Sequence, residues 1–415
     1  VELEDPEDDL SLVTLQELVK GLSTRSSEIH SGLPLRQSFF FTYQCFSNPM
    51  QLLKAFQEEF FSPPDPSLGE DQESCAKKRV GIKEILAYWI EENIRDFAEK
   101  DTKDLLFSFF SEMEEIKQFA PFGEYLRNTY ANSHQRDLDK KDEEKDEEKI
   151  LGLPPMDITW NAFNEEELAI SLTVHEHYLF HKLTFCELLD WNRKDREMFC
   201  PNISHLILIS NKISGWVTTE LVKRTRLSER VRLFEKFISL AHHLLDLRNF
   251  SSCFAVVGGL LNSTFWRMKK TWKAANQDVV GSFQKIQALV SHQANYARYR
   301  SFLNSSTPPC IPFIGVVLTD LTFIDDGNKD TQLGCINLQK FRLFAKVLFE
   351  FKSHINGELN FNTTTSFVSP LLKCPIFSEK EKVKYSNYAE PKDSEAVIIA
   401  LLELLEKEKE RTKTD

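Results

Sequence analysis

Glycine is scarce in this chain, at 14 of 415 residues, which is about half the usual share of roughly 7%. Proline is missing altogether from Asn202 to Thr307. A long stretch without the residue that breaks helices, and with little of the residue that loosens them, favours long helices. As the main architecture it excludes a sandwich or barrel of tight hairpins and a glycine-rich nucleotide-binding fold. Apolar runs are short everywhere, well below the roughly 18 residues that a membrane-spanning helix needs. The segment Val1 to Asp9 is acidic and lacks the basic-then-apolar order of a secretory signal. None of the eight cysteines pairs as CxxC: Cys45, Cys75, Cys186, Cys200, Cys253, Cys310, Cys335 and Cys374 are scattered, several of them in apolar runs. They read as small buried hydrophobes of a reducing compartment, so a cytoplasmic location is expected. An excess of basic charge is also lacking, since 51 Lys+Arg against 63 Asp+Glu give a net charge of −12. That argues against a nucleic-acid partner, whose phosphates require a basic face.

Signatures of covalent chemistry are missing too. There is no GxxxxGK[ST] phosphate loop and no GxSxG elbow. His177 and His181 stand four apart on a helical stretch, but not in an HExxH arrangement, and read as structural histidines. Asp325-Asp326-Gly327 lacks the alternating acids and closing Glu of a calcium loop. No metal and no cofactor are expected. An acidic, helical chain without visible chemistry reads as a binding or regulatory machine.

What is present is helical periodicity in two blocks. In the first, Leu12, Leu15, Leu18, Val19 and Leu22 recur at helical spacing. Leu52, Leu53, Phe56 and Phe60 share the face of a helix opened by Pro49, and Ile82, Ile85, Leu86, Trp89 and Ile90 form a third stripe. Every residue from Arg136 to Lys149 is charged except Leu138, which reads as a solvated linker or exposed helix. The expected division is therefore a first helical domain at 1–135, a charged linker at 136–159, a larger domain at 160–393 and an amphipathic C-terminal helix at 394–415. In the larger domain, helices are expected over Glu165 to Leu172, Val174 to Leu183, Ser204 to Lys223, Ser228 to Leu247 with Ser228 as cap, Cys253 to Leu261, and Val279 to Val290, with continuation to Tyr299 left open. The run Thr307-Pro308-Pro309-Cys310-Ile311-Pro312-Phe313 forces an extended approach to the segment Ile314 to Ile324. A turn at Asp325 to Asn328 and a helix from Asn337 follow.

The larger domain resembles the catalytic domain of the Ras-family guanine-nucleotide exchange factors. The ordered match runs through Glu167-Leu168-Ala169-Ile170-Ser171-Leu172-Thr173 with Glu176, Pro201-Asn202-Ile203, Ser210-Asn211 and Ser214-Gly215-Trp216-Val217. It continues with Leu247-Arg248-Asn249-Phe250-Ser251-Ser252, Asn262-Ser263, Thr271-Trp272 and Asn295-Tyr296-Ala297-Arg298-Tyr299-Arg300, and ends with Pro308 to Gly315, Leu318-Thr319-Asp320-Leu321 and Ile336-Asn337. The first block is similar to the Ras exchanger motif that precedes this domain, chiefly through Phe41-Thr42-Tyr43, Phe46, Leu52-Leu53 and Phe56.

The resemblance implies an all-α fold: an N-terminal helical exchanger-motif domain and a larger helical bowl with a protruding helical hairpin, near Leu318 to Lys352. It implies a guanine-nucleotide exchange factor that prises switch I from a Ras-like small GTPase, of Ras or Rap type, and grips switch II. No bond is made or broken. Thr322 and Asp326 are expected at the hairpin tip, where the family often has an aliphatic residue and a Glu. Ser210, Asn211, Asn249, Ser251, Tyr296, Leu318, Thr319 and Asp320 are expected at the GTPase surface, with Asn249 also a candidate, beside Trp216, Phe250 and Trp272, for holding the scaffold. Pro309, Pro312, Phe313, Asn337 and Lys340 are expected to support the hairpin, and the first domain to brace it. A monomer is expected, with recruitment to the inner face of a membrane open through its GTPase or through segments outside this sequence. The alternative is a scaffold of the same fold that binds a GTPase without exchange.

Overall fold

The structure is a computed structural model, which describes residues 12–25, 29–30, 33–64, 70–143, 155 and 162–391. The described residues are overwhelmingly helical, with a few strands of two or three residues. The C-terminal helix expected at 394–415 lies outside the described residues.

The chain divides into two compact units. One gathers residues 1–146, 184–199 and 317–350; the other gathers 147–183, 200–316 and 351–415. Neither unit is continuous in sequence. The hairpin segment clusters with the N-terminal helices rather than with the rest of the larger block. The Ala120–Glu143 helix runs into the charged stretch that begins at Arg136.

In the first unit the core is aromatic. Trp89, on the Gln72–Glu92 helix, is fully buried. Its ring centroid lies 5.6 Å from Phe40, 5.8 Å from Tyr43, 6.3 Å from Phe56 and 4.8 Å from Phe97. Its indole N–H donates to Asp96 at 2.7 Å, and the Tyr43 hydroxyl donates to the same carboxylate at 2.5 Å. The polar tips of two large aromatics are thus satisfied where they would otherwise cost free energy. Asn48 caps the Pro49–Phe61 helix by accepting from the Gln51 N–H. Asp71 and Ser74 form a reciprocal cap at the start of the Gln72–Glu92 helix.

The 184–199 and 317–350 segments join this unit through specific contacts. The ring of Phe41 lies 4.7 Å from that of Phe185, and Phe46 lies 4.8 Å from Phe341. Leu12 and Val13 pair antiparallel with Asn337 and Ile336, and Thr331–Gln332 pairs with the same strand, Cys335–Asn337, from its other side.

In the second unit the Pro201–Val222, Leu227–Asp246 and Phe250–Leu260 helices carry the core. Trp216 is buried among Phe163, Phe237 and Phe367, at 5.7, 5.0 and 5.4 Å. Two helices meet at Gly259, where a Cβ would fall 2.7 Å from the Ser214 carbonyl oxygen. The Thr218 hydroxyl donates to the Gly259 carbonyl oxygen at 2.9 Å across the same crossing, where the Ser214 carbonyl leaves no room for a Cβ.

Several local expectations need correcting. Glu165–Lys182 is one helix rather than two, capped by Asn164 and uninterrupted at Thr173, whose hydroxyl turns back to the Ala169 carbonyl. Ser228 does not cap; the helix begins at Leu227 with Arg226 at the cap position and no side-chain capping bond to the backbone. The helix expected from Val279 to Val290 runs from Gln277 to Leu289 and does not continue to Tyr299; a new one starts at Gln293 with three left-handed residues in its first turn. The turn expected at Asp325 is still helix, which runs from Ile314 to Gly327.

Candidate functional site

The hairpin consists of the Ile314–Gly327 and Leu338–Ile355 helices, joined by the Thr331–Gln332 and Cys335–Asn337 strands. The proline-rich lead-in to its first helix is held by backbone bonds at Cys310 and Ile311. Ile311 donates to the Arg248 carbonyl at 2.9 Å, and its own carbonyl accepts from Phe250 and Ser251 at 2.9 and 3.2 Å. Cys310 donates to the His354 carbonyl at 2.7 Å. The Phe313 N–H, left free at the start of the helix, donates to the Tyr299 hydroxyl at 2.7 Å. Phe313 stacks on Phe254 with centroids 4.2 Å apart and rings 9° from parallel. Pro312 is buried and Pro309 half-buried in this lead-in.

At the other end of the helix a polar network forms. The Thr322 hydroxyl lies 2.8 Å from both the Leu318 carbonyl and Asn192 Oδ1, and its one proton serves either. Asn192 Nδ2 donates to Asp325 at 3.1 Å. Lys340, with a side chain only 2% exposed, donates to Asp325 and Asp330 at 2.5 Å each. Burial pulls the Lys340 ammonium down, but the two carboxylates outweigh it and the net shift is upward. Asn337 donates to the Lys329 carbonyl, and its side-chain oxygen accepts from the Lys340 N–H. Asn337 and Lys340 therefore tie the second helix to the tip of the first.

Two acids close that first helix, at the negative end of its dipole, where a carboxylate costs about 0.3–1 kcal/mol. Asp325 is offset by Lys340. Asp326 is exposed and no described hydrogen bond or ion pair holds it. Phe323, one helical turn before Asp326, is 67% exposed, and Leu333 at the strand turn is 97% exposed with φ 53°. Leu318 is buried, while Thr319, Asp320 and Thr322 are half-buried.

The other expected surface residues lie in the second unit. Asn211 is exposed and Ser210 half-buried on the Pro201–Val222 helix. Asn249 and Ser251 are not surface residues, with 0% and 3% exposure. Both serve Glu176, itself fully buried. Asn249 Nδ2 and the Ser252 hydroxyl donate to one carboxylate oxygen at 2.8 and 2.6 Å, and the Ser251 hydroxyl donates to the other at 2.8 Å. The Asn249 side-chain oxygen also caps the Phe250–Leu260 helix. Burial raises the Glu176 pKa, against the pull of those donors. A buried carboxylate needs such partners, so these two residues are scaffold and the surface part expected of them is withdrawn.

Tyr296 is half-buried, its ring 6.0 Å from Phe254 and 6.3 Å from Phe313. It belongs to a left-handed turn with Ala294 and Asn295, at φ 59°, 48° and 53°. Each non-glycine residue in that region costs roughly 1–2 kcal/mol, less for Asn. Arg300 spans the turn, donating to the Asn295 carbonyl at 2.8 Å and to its side-chain oxygen at 3.3 Å.

Sequence reasoning missed Asn192, Asp325, Phe323 and Arg300. Phe323 carried a signal, since an aromatic beside Thr322 and one turn before Asp326 faces away from Leu318 and Leu321. Asn192 carried none, because it reaches the hairpin only through tertiary structure.

The hairpin thus presents an acid and an aromatic, Asp326 and Phe323, from a tip tied down by Asn337 and Lys340. The family description "RasGEF domain" matches residues 167–342, and "RasGEF N-terminal motif" matches residues 10–115. The chain therefore carries both domains of the Ras guanine-nucleotide exchange factors. It is similar to Ras guanine nucleotide exchange factor R of Dictyostelium discoideum, 27% identical over 406 residues that cover 92% of this chain and 22% of that protein. Factor Y of the same organism is 32% identical over 244 residues, covering 58% of this chain and 16% of that protein. Factor J is 27% identical over 381 residues, covering 88% of this chain and 46% of that protein. The chain thus spans less than half the length of each of these three relatives. No described helix is long and apolar enough to cross a membrane.

Proposed function

We propose that this chain accelerates GDP release from a Ras-like small GTPase, of Ras or Rap type, and so permits GTP loading. Such a GTPase holds its nucleotide through phosphate-loop contacts and a magnesium ion. The hairpin enters beside switch I, with Thr322 near the place of the magnesium and Asp326 competing for the donors that held phosphate. Tyr296, Ser210 and Asn211 meet switch II. An acceleration of about 10⁴ to 10⁵ requires roughly 5.5 to 7 kcal/mol of differential stabilisation, which a surface complementary only to the opened GTPase supplies without a nucleophile or base. Exchanger and nucleotide then weaken each other's binding by the same factor.

The observation that carries this reading is Asp326. It is an exposed carboxylate at the unfavourable end of a helix, with no described partner in its own chain. A group kept at a cost and left unpaired is available to something outside the protein.

The test is release of a fluorescent guanine nucleotide from a panel of small GTPases, with the chain substoichiometric. Acceleration with turnover supports exchange. Stable binding without acceleration identifies the exchange-inactive scaffold instead, a reading that the replacement of the family's usual tip residues by Thr322 and Asp326 keeps in view. Asp326→Asn should slow exchange and Asp326→Glu should preserve it.

A further inference from the structure

We propose that Arg300 is a positioning residue for nucleotide exchange, which holds the left-handed turn 294–296 closed and thereby sets both Tyr296 and the root of the hairpin. The inference rests on the exchange reading and adds to it a residue that never meets the GTPase. Three successive non-glycine residues at positive φ do not persist unaided, because each L side chain there crowds its own carbonyl. Something must over-determine the turn, and two features do so.

The first is the guanidinium. Arg300 Nε reaches the Asn295 carbonyl and an Nη reaches the Asn295 side-chain oxygen, so a planar fork grips one residue at two points. The second is the aromatic bed. Tyr296 packs on Phe254 and Phe313, and Phe313 is the residue whose N–H is held by the Tyr299 hydroxyl just before the first hairpin helix begins. Tyr299 and Arg300 are neighbours in sequence. One short stretch thus aims a half-exposed ring outward and fixes the backbone from which the hairpin departs. A right-handed relaxation of 294–296 would lift Tyr296 off Phe254 and Phe313 together and unload both tasks.

Three variants of the full chain test this. Arg300→Ala should lower kcat/KM for exchange about tenfold, the order expected when a charged fork on one segment is lost, and chiefly through KM. Arg300→Lys should fall between, because an ammonium cannot fork two oxygens. Adding Asn295→Gly to Arg300→Ala should recover at least threefold, because glycine holds positive φ without steric cost. Amide hydrogen exchange over 294–297 reads the turn independently of activity: protection should drop in Arg300→Ala and return in the double variant. Unchanged kcat/KM in Arg300→Ala overturns the proposal while leaving exchange standing. Lost activity with undiminished protection also overturns it, since Arg300 would then act by direct contact. A wild-type chain that accelerates no GTPase overturns the exchange reading, and this proposal falls with it.

Discussion

The ring of Phe46 lies 4.8 Å from the ring of Phe341, so an N-terminal residue touches the second helix of the hairpin. Phe341 is buried and Phe46 half-buried. Beside this contact Leu12 and Val13 add a strand to the sheet that turns the hairpin. Truncating Phe46 to Ala should cost about 1–3 kcal/mol, below the range for a fully buried aromatic. Exchange should fall further than global stability predicts, and Phe46→Leu should retain most of it. Thermal unfolding and nucleotide release on the same samples check this; equal activity in the Ala variant would remove the bracing role.

Asn192 supports the hairpin tip from a different segment. It is the hydrogen-bond partner of both Thr322 and Asp325. Asn192→Ala should slow exchange severalfold for a stability loss of about 0.5–1.5 kcal/mol. Asn192→Asp should be worse, because it sets a carboxylate against Asp325. An Asp variant as active as the wild type would show that the tip does not depend on this link.

Phe323 is solvent-facing, so Phe323→Ala should leave stability within about 0.5 kcal/mol. Its effect should appear in kcat/KM against the responsive GTPase, with Phe323→Leu restoring part of the loss. If release rates are identical across the panel, the exposed ring is an ordinary surface aromatic.

Glu176 should behave as a buried, fully bonded acid. Glu176→Gln keeps its shape but replaces a charged acceptor by a neutral one for Asn249 and Ser252, and turns an NH2 toward the Ser251 hydroxyl, which must reverse its role. A loss of about 1–3 kcal/mol is expected by chemical denaturation, with the Ala variant losing more. A neutral Gln variant would show that the charge of Glu176 is not needed for stability.

His177 gives the fold a pH response. Burial pushes its pKa down from 6.5 to about 4, the nearby His181 adds to this, and the Gly357 carbonyl opposes it. A depressed folded value means that the unfolded state takes up the proton first. The contribution is fully present above pH 6.5 and is lost as pH falls from 6.5 through about 4. Stability measured across that window should decline less steeply in His177→Gln. Parallel curves would place the titration elsewhere.

The helical class was legible because scarce glycine and a proline-free central stretch leave few alternatives. The two family blocks were legible from ordered motifs. Burial was not. Asn249 and Ser251 look like surface polar residues until the Glu165–Lys182 helix delivers Glu176 between them. The break before Gln293 was hidden for a related reason: neither glycine nor proline marks it, and Arg300 stabilises it from five residues downstream of Asn295. Asp325 and Asp326 are adjacent and alike in sequence, and Lys340 and Asn192 together separate the braced acid from the presented one.

Because residues 317–350 share a compact unit with the N-terminal helices, the hairpin should belong to the N-terminal foldon rather than to that of the Trp216 core. A mild destabiliser of the first helices would then disarm the molecule by fraying its working end, while the larger helical core stayed folded and antibody-recognisable. Loss of function by that route would leave any probe of the Trp216 core unchanged.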